Sequence, residues 1–195
     1  MKKMNILAAI ACTGLLFCSG CGGGSSSKET STQKSETSSS AQVLESTVIS
    51  AVDGQQIKVD RIQNGLIFRG HENKIVLLEV YGASCPHCIA AIPGYNRLQS
   101  KYQNDVKVIT IESYGQLNSE GLRNYAAEHN MQYTTVAREA SGKMISFVQS
   151  LTGYTPESAG VPVLLVFSRD GKLAEYYPPQ DLPEQKVDNL IQGLL

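Results

Sequence analysis

Lys74-Ile75-Val76-Leu77-Leu78-Glu79-Val80-Tyr81-Gly82-Ala83-Ser84-Cys85-Pro86-His87-Cys88 decides how this chain is read. The stretch opens on an apolar run of strand length and closes on a Cys-x-x-Cys. A run so continuously apolar predicts a strand covered on both faces. Pro86 suits the first position of a helix, where its missing N–H is not needed. A Cys-x-x-Cys at the mouth of a strand-to-helix turn reads as a redox dithiol. Its two thiols lie one helical turn apart, so their sulfurs can close a disulfide with little backbone movement.

The positions of the two thiols assign their roles. Cys85 falls at the helix N-terminus, where unpaired backbone N–H groups and the positive dipole end favour a thiolate. It is expected to be the exposed nucleophile. Cys88, one turn inside, is expected to be buried and to resolve the mixed disulfide. His87, when protonated, would stabilise the neighbouring thiolate and make the disulfide more oxidising. The bland alternative for His87 is an exposed loop residue. Glu79 interrupts the apolar strand, and a carboxylate there is costly unless it serves the site. Burial should raise its pKa, and through water it could take the proton of Cys88. The competing placement is an edge strand with Glu79 facing solvent.

Metal is the rival chemistry for the cysteines. Zinc takes about four ligands, and there is no second Cys-x-x-Cys to supply them. His71 and His129 read as a loop and a helix-end residue. No Pro-x-x-x-Thr-x-x-Cys pattern surrounds Cys85, so a peroxidatic cysteine is also disfavoured. No metal and no cofactor is expected.

Outward from the dithiol, strands and helices alternate. Thr47–Ser50 and Gln56–Val59 flank Asp53-Gly54 as a hairpin, and Leu66–Phe68 is a further short apolar run. A helix is expected over 86–102 with Pro93 kinking it, then a strand over 106–111, a helix over 119–129 and a strand over 132–136. Residues 140–152 read as helix. Val161-Pro162 opens a strand to Phe167, Asp170-Gly171 turns it, 173–177 is its partner, and 184–195 is an amphipathic helix. The pattern predicts an α/β fold with a central mixed sheet flanked by helices. X-Pro bonds adopt cis only in a small minority of cases, so the residues alone leave Val161-Pro162 open.

The chain has 195 residues and a net charge of −1, which offers no electrostatic case for nucleic acid or an acidic membrane surface. Phosphate-loop and dinucleotide fingerprints are absent. Cys12, Cys18 and Cys21 crowd the first segment, and Cys85 and Cys88 are the only two beyond it, so a structural disulfide framework is excluded. Lys2 and Lys3 precede an apolar core from Ile6 to Phe17, too short for the roughly 20 residues of a membrane span. An export signal over 1–20 is expected. Gly22 to Ser40 carries no apolar residue and reads as a flexible tether in a linker running to 45. The folded domain is then 46–195.

Leu16-Phe17-Cys18-Ser19-Gly20-Cys21 resembles a bacterial lipobox, although Cys18 stands where leucine is usual. The resemblance implies lipidation at Cys21, with ordinary signal cleavage as the alternative. The 46–195 segment is similar to the thioredoxin superfamily. The strand into Cys85, the downstream Pro93, the leading hairpin, the helix-strand insertion over 119–136 and Gly160-Val161-Pro162 before Asp170-Gly171-Lys172 look most like the membrane-tethered TlpA/ResA group. That resemblance implies a thioredoxin-like fold, a cis Pro162 lying against Cys85, substrate binding at Val161 and Pro162, and extracytoplasmic thiol–disulfide exchange. Leu78-Glu79, Cys85-Pro86-His87-Cys88 and Val161-Pro162 match the oxidase DsbA, with Pro86 and His87 tuning the pair. The segment before Pro162 is short for that family's helical insertion, and Ser84 replaces the aromatic residue of both groups.

The expected protein is a lipid-anchored, monomeric oxidoreductase outside the cytoplasm, periplasmic in a Gram-negative cell. It would act on protein thiols and disulfides with a membrane redox partner. Overall architecture points to a reductase, for instance in cytochrome c maturation, with a DsbA-like oxidase as alternative. A non-catalytic thioredoxin-fold binding module is the alternative of another class.

Overall fold

A computed structural model of the chain describes residues 41–195. The expected export signal, Cys21 and the tether up to residue 40 lie outside the described residues. Strands β1 (Glu45–Ser50), β2 (Gln56–Ile62) and β3 (Gly65–Phe68) form an antiparallel sheet of their own, in sequence order. The expected hairpin is its first half: Gly54 takes φ 93° in the turn, a backbone state that suits glycine.

The central sheet contains β4 (Ile75–Tyr81), β5 (Val106–Glu112), β6 (Thr134–Val136), β7 (Val163–Phe167) and β8 (Leu173–Tyr177), in the order β6-β5-β4-β7-β8. β4, β5 and β6 are mutually parallel, β7 runs antiparallel to them, and β8, antiparallel to β7, runs in their direction again. The helices are α1 (Pro86–Lys101), α2 (Ser119–Glu128), α3 (Met144–Thr152), α4 (Pro156–Ala159) and α5 (Glu184–Leu194). The mixed α/β architecture matches the expectation. Of the stretch expected as one helix over 140–152, α3 takes up Met144–Thr152, a 3₁₀ turn at Arg138–Ala140 precedes it, and α4 was not anticipated.

Every residue of β4 is buried, because it is the middle strand and is covered on both faces. Its odd-numbered residues meet α1 and α5: Ile75 and Leu77 pack with Ala91, Tyr95, Leu98, Val187 and Ile191. Its even-numbered residues meet α3 and the small sheet: Val76, Leu78 and Val80 pack with Ile49, Val59, Phe68, Met144, Phe147 and Val148. Each such buried side chain contributes about 1.5–3 kcal/mol. The strand that carries Glu79 and aims the dithiol is therefore held from both faces.

The small sheet is joined to the central one by two glycines. The Leu66 N–H donates to the Gly171 carbonyl at 2.8 Å, and the Leu173 N–H to the Asn64 carbonyl at 2.9 Å. A Cβ on Gly65 would lie 2.0 Å from the Gly171 oxygen, so only glycine permits this approach. Among the described residues, no helix is long and apolar enough to cross a membrane.

Candidate active site

β4 ends at Tyr81, the chain turns through Gly82–Ser84, and α1 begins at Pro86. Cys85 is the N-cap, in extended conformation (φ −80°, ψ 117°), and its sulfur accepts from the Cys88 N–H at 3.3 Å. Pro86 occupies the first helical turn as expected. The sulfur thus sits where the helix leaves its first N–H groups unpaired. Cys85 is half-buried and Cys88 is buried, the asymmetry expected of nucleophile and resolving thiol. Burial, above all, pushes the Cys88 thiol far up, so it needs help to ionise.

Val161-Pro162 is a cis peptide, and the Val161 carbonyl lies 3.7 Å from the Cys85 sulfur. The pair precedes β7 rather than opening it. The Tyr154 hydroxyl donates to the Gly160 carbonyl at 2.8 Å and fixes the approach to this loop.

Glu79 is 2% exposed and lies on the central strand, which rules out the edge-strand placement. Its Oε1 has no hydrogen-bond partner. Burial raises its carboxyl to about 8, with Tyr95 drawing the other way. The carboxyl also acts on Cys88, whose thiol its charge pushes further up.

His87 is exposed, with its Nδ1 2.7 Å from Asp181 Oδ1. No sequence signal tied Asp181 to the dithiol, because it lies 94 residues away in the loop before α5.

Three other features escaped the sequence reading. Where both similar groups carry an aromatic residue, Ser84 is held by Gln116: its N–H donates to Oε1 at 3.2 Å, and Gln116 Nε2 donates to Ser84 Oγ at 2.8 Å. An aromatic ring does reach the site, from elsewhere. Tyr114 is 45% exposed, and a Cβ on Gly82 would lie 2.8 Å from its ring and 3.4 Å from Val161. Buried Glu112 forms the turn that presents it, accepting from the N–H groups of Tyr114 (3.1 Å) and Gly115 (2.8 Å). The one available hint was that this turn follows the carboxyl end of β5, where open α/β sheets place their sites. The third feature is a set of buried hydroxyls around Glu79, contributed by Tyr81, Thr110 and Tyr133.

Among the described residues no group of three His, Cys, Asp or Glu could hold a metal ion. His71 and His129 lie away from the dithiol, in the loop before β4 and at the C-cap of α2.

Neither a family model nor a curated protein matches the chain. Solved structures do. A secreted Mycobacterium tuberculosis disulfide oxidoreductase homologous to E. coli DsbE aligns with TM-score 0.56 at 12% identity, over 76% of this chain and 96% of that one. A Chlorobium tepidum thiol:disulfide interchange protein of the thioredoxin family aligns with TM-score 0.57 at 14% identity, over 79% and 96%. The fold is thioredoxin-like. The exposed lipoprotein thioredoxin Etrx1 of Streptococcus pneumoniae aligns similarly, with TM-score 0.55 at 16% identity, over 77% of this chain and all of that one. In this thioredoxin-like domain the dithiol, the cis-proline loop and Glu79 converge at the end of the central strand.

Proposed function

We propose that the protein is a thiol–disulfide oxidoreductase acting on protein clients outside the cytoplasm, in the reducing direction. The observation that carries the reading is the half-buried Cys85 sulfur, capping α1 and 3.7 Å from the Val161 carbonyl, with Cys88 one turn behind it. The Cys85 thiolate attacks one sulfur of a client disulfide. A mixed disulfide forms, and the first client thiolate leaves. Cys88 gives its proton to Glu79 through water and attacks the Cys85 sulfur. The mixed disulfide breaks, the second client thiolate leaves, and Cys85–Cys88 is now the disulfide. The client has gained two electrons, which a membrane redox partner with a dithiol restores.

Two similar proteins bear on setting and direction. One is secreted and homologous to E. coli DsbE, and the other is an exposed lipoprotein. They support an extracytoplasmic place, and with it lipidation at Cys21, a tether to 45, and a TlpA/ResA-like role. The opposite direction, DsbA-like oxidation, is favoured by His87 beside the thiols, since a histidine that stabilises the thiolate makes the disulfide more oxidising.

The test is exchange with a disulfide-bonded protein. Cys85→Ser should abolish it, and Cys88→Ser should leave client attached to Cys85. Full exchange by Cys85→Ser would remove Cys85 as the nucleophile, and no exchange by the wild-type protein would return the domain to a non-catalytic binding module.

A further inference from the structure

Four buried polar atoms on one side of the central sheet lack hydrogen-bond partners: Glu79 Oε1, Tyr81 hydroxyl, Thr110 Oγ1 and Tyr133 hydroxyl. They belong to one neighbourhood. Glu79 and Thr110 are direct partners across β4 and β5. Tyr81 lies two residues along β4, so it points to the same face as Glu79. Tyr133 packs edge-on against Tyr95, with ring centroids 5.9 Å apart. Tyr95 in turn meets the Glu79 carboxyl from α1. Glu79, Tyr81 and Thr110 are each at most 2% exposed.

Buried hydroxyls and a carboxyl that find no protein partner are the setting in which internal water is retained, bridging two to four polar groups. Of these four residues, Tyr133 also lines a groove of about 490 Å³ at the outer edge of the sheet. Lys107, Asp53 and Arg123 line the same groove. The cluster therefore runs from beside Cys88 to Tyr133, whose hydroxyl is buried while the rest of the residue borders the groove on the β6 side, away from the mouth where Cys85 meets Val161.

We propose that Thr110, Tyr81 and Tyr133 hold internal water against Glu79, and that the proton taken from Cys88 leaves through it by way of Tyr133 into the β6-edge groove. The proposal rests on the function proposed above. It answers a need of that chemistry: a client joined to Cys85 covers the mouth of the site when Cys88 must lose its proton. Cys88–SH and Glu79 carboxylate give Cys88 thiolate and Glu79 carboxylic acid, and the acid then returns its proton to solvent at the back. Electrons move only between sulfurs.

The groups facing Glu79 are Cys88 and Tyr95 from α1, Tyr81 from β4, Thr110 from β5, Tyr133 before β6 and Tyr125 from α2. None carries a fixed charge. Donors aimed at the carboxylate favour its charged form, and removing one shifts its titration alkaline.

The experiment loads Cys85 of the full chain with a chromogenic aryl thiol as mixed disulfide and follows aryl thiolate release by Cys88 across pH. Wild type should release the dye with a rate that rises as Glu79 loses its proton, and Glu79→Gln should remove that dependence. Tyr133→Phe keeps the ring. It should shift the profile alkaline and slow release about threefold or more near neutral pH, as a half-unit shift requires. Thr110→Val should act likewise, and Thr110→Ser, which keeps the hydroxyl, should restore the wild-type profile. Profiles of Tyr133→Phe and Thr110→Val superimposed on wild type, with Glu79→Gln altered, would overturn the exit route alone. A uniform loss of rate without a pH shift would also overturn it, marking a packing effect. No dye release by wild type would overturn the redox function itself, and the exit route with it.

Discussion

The Cys85 sulfur lies 3.7 Å from the carbonyl oxygen of Val161, a residue 76 positions downstream. This contact makes the first prediction specific. A client sulfur attached to Cys85 must sit beside the Val161-Pro162 loop. Cys88→Ser should therefore accumulate a mixed disulfide with a protein client, visible on non-reducing gels and lost on adding dithiothreitol. Cys85→Ser should show none. Equal trapping by both variants would mean that the thiols do not divide their roles as their burial indicates.

Glu79 should set how stability depends on pH. Burial holds its carboxyl at about 8 in the fold, against 4.5 for an ordinary glutamate. Between those values the unfolded chain has released a proton that the folded chain keeps. Its contribution is fully present below about pH 4.5, falls as pH rises and is gone by about pH 8. Glu79→Gln cannot ionise. It should match wild type near pH 4.5 and exceed it by on the order of 4 kcal/mol near pH 8. Urea midpoints across that range measure this, and a gap that does not widen with pH would refute the buried carboxylate.

Gly65 should tolerate no side chain. A Cβ there meets the Gly171 oxygen at 2.0 Å and the Lys172 Cα at 2.8 Å, both backbone atoms that cannot rotate away. Gly65→Ala should cost roughly 2–3 kcal/mol by forcing the small sheet off the β7–β8 turn. Denaturant titration measures it. A change under about 0.5 kcal/mol, the size of an ordinary surface substitution, would mean that the seam yields.

Tyr114 should matter to clients more than to small thiols. Its half-exposed ring stands on Gly82, beside Val161. Tyr114→Ala should weaken exchange with a protein disulfide roughly fivefold, the effect of losing about 1 kcal/mol at an interface contact. The loss should be smaller with dithiothreitol. Equal loss with both reactants would make Tyr114 a support for the dithiol loop rather than a client contact.

The fold was legible because its signals are local. The unbroken run from Ile75 to Val80 predicted a strand covered on both faces, and Asp53-Gly54 predicted a turn. Pro86 after Cys85 predicted a helix start at the dithiol, and the structure places it there. Glu79 was legible for the same reason: a lone carboxylate breaks an apolar pattern. Tyr114, Tyr133, Thr110 and Asp181 were not. Each is an ordinary residue in its own segment and gains its meaning only from a partner far along the chain: Thr110 from its register with Glu79, and Asp181 from His87. Ser84 shows the limit from the other side. The missing aromatic was evident, but its replacement by the Gln116 clamp and by a tyrosine from the turn after β5 depends on tertiary contacts.

The reduction potential of the Cys85–Cys88 pair tests the central claim most directly. The full chain is equilibrated in a series of dithiol–disulfide buffers, quenched with an alkylating reagent and read by gel shift. A reductase should give one two-electron transition near about −270 mV, the thioredoxin end of the scale, and Cys85→Ser should remove it. A transition near about −120 mV would contradict the reducing direction. The absence of any transition assignable to these two cysteines would contradict thiol–disulfide exchange altogether.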